Sequence, residues 1–142
     1  QVESEILPLA REENLGVITY SPVGGGLLSG KYGPRRRPDT GRLIENPHYA
    51  SRYRDDWTFE TAAAMTEVAT ALDSQPVSLA VAWVAAHPVV SCPIVGARSL
   101  EQLGPSLDAL QVEMTPALRD QISALSRTPS PATDRLEEQP ED

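Results

Sequence analysis

The chain has 142 residues, enough for one domain with a hydrophobic core, and 40% of them are hydrophobic, as in ordinary globular proteins. Its net charge of −8, much of it gathered between Asp134 and Asp142, argues against general nucleic-acid binding. No apolar run approaches the roughly 20 residues that cross a bilayer, and the single Cys92 allows neither an internal disulfide nor a cysteine-based zinc site.

Only His48 and His87 could add imidazole ligands, so a metal site is not expected. No signal peptide is visible, although a start at Gln1 would hide any earlier targeting segment. The expected compartment is the cytoplasm, with no membrane and no nucleic acid as partner.

The stretch from Glu3 to Asn14 reads as a helix, with Ile6, Leu7, Leu9 and Ala10 on one broad face and Pro8 tolerable near its first turn. Leu15 and Gly16 are expected to end it, Gly16 taking the left-handed cap. Val17 to Tyr20 is a short β-branched and aromatic run, hence a buried strand closed by Ser21 and Pro22. The glycine triplet Gly24 to Gly26 follows. From Tyr32 to Trp57 there is no periodicity, only prolines, glycine and the run Arg35 to Arg37, and a loop of that length is usually functional or mobile.

Helical spacing returns at Phe59, Ala62, Met65, Ala69 and Leu72. Pro76 opens a second helix whose Leu79, Ala82, Trp83 and Ala86 share a face, and it must stop before Pro88. A strand is expected from Ser91 to Val95, then a helix N-capped by Ser99 and running to about Leu110. Thr115 and Pro116 open a last helix carrying Leu118, Ile122 and Leu125. From Thr128 onward the composition reads as a disordered tail. Two strands separated by helices imply parallel βα units, yet two parallel strands alone make no stable sheet. The chain reads as a piece of a larger α/β structure.

Each strand leads into a segment able to hold phosphate. Gly24 to Gly26 would let backbone approach an anion, with Lys31 supplying charge; Gly96-Ala97-Arg98 leads into a helix start at Ser99, where free N–H groups favour an anion and Arg98 can fork onto a phosphate. In (β/α)₈ barrels a phosphate site is commonly built from the loops after the last two strands. Taken singly, each feature has an ordinary reading: a flexible turn, a solvated charge, or, for Tyr20, a core aromatic. The glycine fingerprints of the dinucleotide fold and the P-loop are absent.

Tyr20-Ser21-Pro22-Val23-Gly24-Gly25-Gly26-Leu27-Leu28-Ser29-Gly30-Lys31-Tyr32 resembles the segment after the seventh barrel strand of aldo-keto reductases. Ala82-Trp83, followed by Pro93-Ile94-Val95-Gly96-Ala97-Arg98-Ser99-Leu100-Glu101-Gln102-Leu103, resembles that family's eighth strand and helix, in the family's order. The resemblance runs from about Glu3 to Ser126. It implies the C-terminal part of a (β/α)₈ TIM barrel, incomplete in this chain, over residues 1–127, with residues 128–142 as an acidic tail.

The same resemblance assigns roles. Tyr20 matches the residue that stacks on nicotinamide; Ser21, Pro22, Val23, Gly24 and Leu27 match the loop around the pyrophosphate, with Lys31 nearby. Gly96 and Arg98 match the segment at the adenosine 2′-phosphate, and Gln102 matches a residue at the adenine end. Arg98 suits a 2′-phosphate, which favours NADPH over NADH. Relatives commonly carry Glu-Asn where this chain has Pro105 and Ser106, so its adenosine contacts are expected to be weaker or different.

None of the chain matches the family's Asp, Tyr, Lys and His proton-donating tetrad, so no catalytic residue is assigned; Tyr20, Lys31, Tyr32 and His48 lie in the wrong region to stand in. Protonating the alkoxide formed by hydride transfer needs an acid. The resemblance therefore implies an NADPH-dependent reductase of small aldehydes or ketones whose N-terminal barrel half, in another chain or a lost segment, supplies the tetrad. A non-catalytic nucleotide-sensing or docking remnant, and a truncated product without stable function, stay open. For Arg35 to Arg37 the choice is a solvated loop or a flap over cofactor or substrate.

Overall fold

The computed structural model describes residues 2–128; the acidic stretch beyond Thr128, expected to be disordered, lies outside them. The first helix, α1, spans Ile6–Glu12 and is shorter at both ends than its apolar pattern implied. It closes on Asn14 rather than Gly16. Asn14 takes φ 52°, and the N–H groups of Asn14 and Leu15 donate to Arg11 and Ala10 carbonyls, a Schellman ending. Asn tolerates the left-handed region because its short amide can bond locally, so the nearby glycine was not needed. Of the apolar face only Leu7 and Ala10 are buried, while Ile6 and Leu9 meet solvent.

Strand β1 (Val17–Tyr20) pairs in parallel with β2 (Val90–Ile94). Ile18 stands opposite Cys92, Thr19 opposite Pro93 and Tyr20 opposite Ile94, after a register irregularity next to Val17. Ser91 marks that irregularity, its Oγ accepting from the Val17 N–H at 3.1 Å, and β2 begins one residue earlier than expected.

Between the strands lies the segment that showed no periodicity, and it contains two short helices, α2 (Arg42–Glu45) and α3 (Pro47–Arg52). The second is capped by Asn46, whose side chain accepts from the His48 N–H, with Pro47 at the first helical position. Both are too short to show a hydrophobic period, and tertiary packing holds them. Leu43 of α2 is buried with Leu27, Tyr32, Phe59 and Ala62, and Tyr49 and Tyr53 pack against that cluster.

Helix α4 (Asp56–Ala71) buries the spaced residues Phe59, Ala62, Met65 and Ala69, and ends on Asp73 at φ 51°. Helix α5 (Pro76–Ala85) turns away from it by 97° and buries Ser78 through Ala82. Ala62, Ala69 and Leu79 have no exposed surface, because small residues let the helices approach closely. Among the described residues no single helix is long and apolar enough to cross a membrane.

After β2, helix α6 (Leu100–Leu107) passes into a 3₁₀ turn at Asp108–Gln111, so the long helix expected to reach Leu110 is two pieces. Pro105 cannot donate to the helical ladder, and the buried Ser78 hydroxyl binds its carbonyl at 2.7 Å. Helix α7 (Pro116–Ser123) is capped by Thr115, and its Ile122 closes the cluster of Met65, Ala69, Leu79 and Ala80.

The helices leave one face of the sheet bare. Ile18 is 63% exposed, Tyr20 75% and Ile94 57%, with Cys92 also exposed, while Thr19 and Pro93, which alternate with them, are half-buried. Parallel sheets are ordinarily covered on both faces. An apolar face and two free strand edges are what a sheet shows when its neighbouring strands lie elsewhere.

Candidate functional site

Because β1 and β2 are parallel and Tyr20 faces Ile94, the loop after β1 and the loop after β2 leave the same end of the sheet side by side. Topology alone therefore brings together the two segments able to hold phosphate. Tyr20 ends β1 with its side chain largely free. Ser21 is held at φ 56°, a region that costs a non-glycine residue energy and is often found where backbone is aimed for function.

The glycine triplet forms a 3₁₀ turn with Gly24, Gly25 and Gly26 all at positive φ. It is largely self-bonded: Gly24 N–H donates to the Ser21 carbonyl, and Gly26 and Leu28 N–H groups donate to that of Val23. The close approach that these glycines permit is made by a side chain of the chain itself. A Cβ on Gly25 would collide with one edge of the Tyr49 ring, and one on Gly24 would lie 3.3 Å from the Tyr53 hydroxyl oxygen.

Tyr49 in turn carries two guanidinium groups, Arg42 at 5.3 Å and Arg52 at 5.5 Å from its ring centre. Neither arginine forms an ion pair among the described residues. Burial pushes the Tyr53 hydroxyl above its ordinary range, against the pull of Arg52. Sequence reasoning missed this aromatic and basic strap. Its signal was the spacing Tyr49, Arg52, Tyr53, which puts the three on one side of a helical turn.

Val23 and Leu27 offer no free side chain to a ligand. Leu27 is buried with Tyr32 and Leu43, and Val23 packs against the α5 clusters. Lys31 is exposed beyond Gly30 and forms no ion pair among the described residues. Arg36 and Arg37 are not a free flap, since their guanidinium groups donate to the Gly30 and Gly33 carbonyls and Arg37 stacks on Phe59.

On the second loop Gly96, Arg98 and Gln102 are all exposed. Gln102 builds the helix start: its N–H donates to Ser99 Oγ, and its side-chain oxygen accepts from the Arg98 N–H at 3.1 Å. The Ser99 hydroxyl also holds the Glu101 carboxyl below the usual carboxylate range. The Arg98 guanidinium has no acidic partner among the described residues.

Tyr20, Ser21, Pro22, Gly24 and Leu27 also line a cavity of about 440 Å³ that runs under the loop between β1 and the helices. Lys31, Gly96, Arg98 and Gln102 do not reach it. No group of three or more His, Cys, Asp or Glu side chains able to hold a metal occurs among the described residues.

Residues 1–127 match the aldo/keto reductase family, and the chain belongs to it. It is 36% identical over 129 residues to a probable voltage-gated potassium channel subunit beta of Oryza sativa subsp. japonica, covering 88% of this chain and 39% of that protein. It is 32% identical over 115 residues to the uncharacterized oxidoreductase YrpG of Bacillus subtilis, covering 79% of this chain and 32% of that protein. An aldo-keto reductase of Babesia bovis is 33% identical over 107 residues, 72% of this chain and 38% of that protein. The chain thus spans two fifths or less of the length of these relatives.

Proposed function

We propose that this chain forms the C-terminal part of a (β/α)₈ barrel and supplies the cofactor-holding side of an NADPH-dependent reductase of small aldehydes or ketones. The observation that carries the reading is the parallel register of Tyr20 with Ile94, which sets both anion-suited loops at one edge beside an uncovered apolar sheet face. The remaining strands would cover that face and bring the acid that protonates the alkoxide.

The residues present fit the cofactor. Tyr20 is free to stack, Ser21 is already turned into the left-handed conformation, and Arg98 and Lys31 are exposed cations without acidic partners among the described residues. Arg98 would fork onto the 2′-phosphate and Tyr20 would lie along the nicotinamide, while Ser21, Pro22 and Gly24 bound the pyrophosphate. When bound, NADPH supplies the hydride. Gln102 is tied to the helix start, so it would orient Arg98 and meet the adenine from a fixed position. A cytoplasmic location belongs to the same proposal.

A docking role is favoured by one observation, the bare apolar face with its free edges, and two of the curated relatives are named as channel subunits. Arg98→Ala separates the readings. In the reductase it weakens NADPH by about tenfold or more and leaves NADH nearly unchanged, because only NADPH carries the 2′-phosphate. Equal loss for both cofactors, or no loss, contradicts the assignment.

A further inference from the structure

The chain carries a net charge of −8, yet seven of its twelve Lys and Arg residues stand between Lys31 and Arg54, against two acids, Asp39 and Glu45. All seven cations are exposed. They belong to the strap over the glycine turn, where the Tyr49 ring gathers Arg42 and Arg52 and Leu43 anchors α2 in the cluster beneath. Arg36 and Arg37 bond to carbonyls, which leaves their charge uncancelled. Among the described residues these cations make one ion pair, Arg54 with its neighbour Asp55 at 3.8 Å, and an exposed pair of this kind is worth little. Like charges held on one face repel each other unless an anion joins them.

An anionic segment of the same chain starts close by. The Leu125 carbonyl accepts from Thr61 Oγ1 at 3.1 Å, so the last described residues lie against the second turn of α4. Helix α4 begins two residues after Arg54, and Thr61 stands about 8 Å along the helix from that start. Residues 134–142 hold five acids, Asp134, Glu137, Glu138, Glu141 and Asp142, and one cation, Arg135. The stretch from Leu125 to Asp134 can span about 30 Å. These acids therefore come within reach of Arg54 and Arg52.

We infer that the acidic stretch of residues 134–142 docks on the strap of its own chain, its carboxylates meeting Arg42, Arg52 and Arg54. Tethering keeps the stretch near this surface at about millimolar effective concentration, which offsets the weakness of each exposed pair. Arg52 also lines the cavity with Ser21, Pro22 and Gly24. The docked stretch thus occupies the approach to the glycine turn and competes with phosphate there. The docking itself is independent of the reductase reading; its consequence for the cofactor's phosphates rests on that reading.

The isotope-labelled full chain, without nicotinamide cofactor, is compared by amide NMR with a variant carrying Asp134→Asn, Glu137→Gln, Glu138→Gln, Glu141→Gln and Asp142→Asn. Salt is held at about 0.15 M, where exposed charges more than about 8 Å apart are largely screened. The signals of Gly24 to Gly26 and of Tyr49 to Arg54 are expected to move, and inorganic pyrophosphate is expected to bind the variant about fivefold or more tighter than the native chain. Arg42→Gln combined with Arg52→Gln is expected to move the signals of residues 134–142, a reciprocal reading that leaves the acids in place. Shifts confined to residues beyond Thr128, shifts gathered at Arg11, Arg98 or Arg119 instead, or equal pyrophosphate affinity in the two proteins overturns the proposal. A chain that ignores NADPH would leave this result standing.

Discussion

The edge of the Tyr49 ring stands where a side-chain carbon on Gly25 would have to go, so that Gly25 has no room for a Cβ. This contact joins the turn after β1 to the strap of α2 and α3. It gives the glycine triplet a structural duty besides any contact with phosphate.

Gly25→Ala is therefore expected to destabilise the protein by about 1–3 kcal/mol, from a left-handed φ of 67° and from collision with Tyr49. Denaturant unfolding measures it. In a Tyr49→Ala background the same substitution should cost about 1 kcal/mol less, because only the backbone strain remains. Equal cost in both backgrounds would mean that the ring contact carries no energy.

Ser78→Ala should cost about 1–3 kcal/mol, although it changes a single oxygen. The Ser78 hydroxyl is the buried donor that satisfies the Pro105 carbonyl, in a helix that Pro105 already weakens. Thermal unfolding with Ser78→Ala and Ser78→Thr distinguishes loss of the bond from loss of volume.

Much of the fold could be read from the chain because its main elements carry their own signals. The 3.6-residue spacing of Phe59, Ala62, Met65 and Ala69 and the Pro76 and Ser99 starts depend on local chemistry, and they fall where the pattern put them. Helices α2 and α3 escaped because segments of four and six residues contain no complete period. Their one local signal, Asn46 followed by Pro47, was present but isolated. The exposure of Ile6, Leu9 and Ile18 was equally hidden, since sequence gives a residue's preference for burial and not the presence of a partner to bury it. At the site, the loop residues were legible as a motif; the strap of Tyr49, Arg52 and Tyr53 became visible only when the fold brought it onto the glycines.

Stability should fall as the pH drops below about 6.5. His87 is held below that ordinary value in the folded chain, so the unfolded chain binds its proton first and acid favours unfolding. The contribution is fully present above the unfolded value and is lost as pH falls from there toward the depressed folded value. His87→Gln should flatten this part of the profile, as measured by thermal unfolding at a series of pH values. An unchanged slope would exclude His87 as its source.

The central claim is tested most directly by determining the intact mass and assembly state of the purified native protein while titrating NADPH and following cofactor fluorescence. The account expects a longer parent chain or a second polypeptide completing the barrel, together with saturable NADPH binding. A lone monomer of 15.4 kDa that leaves NADPH fluorescence unchanged would contradict it.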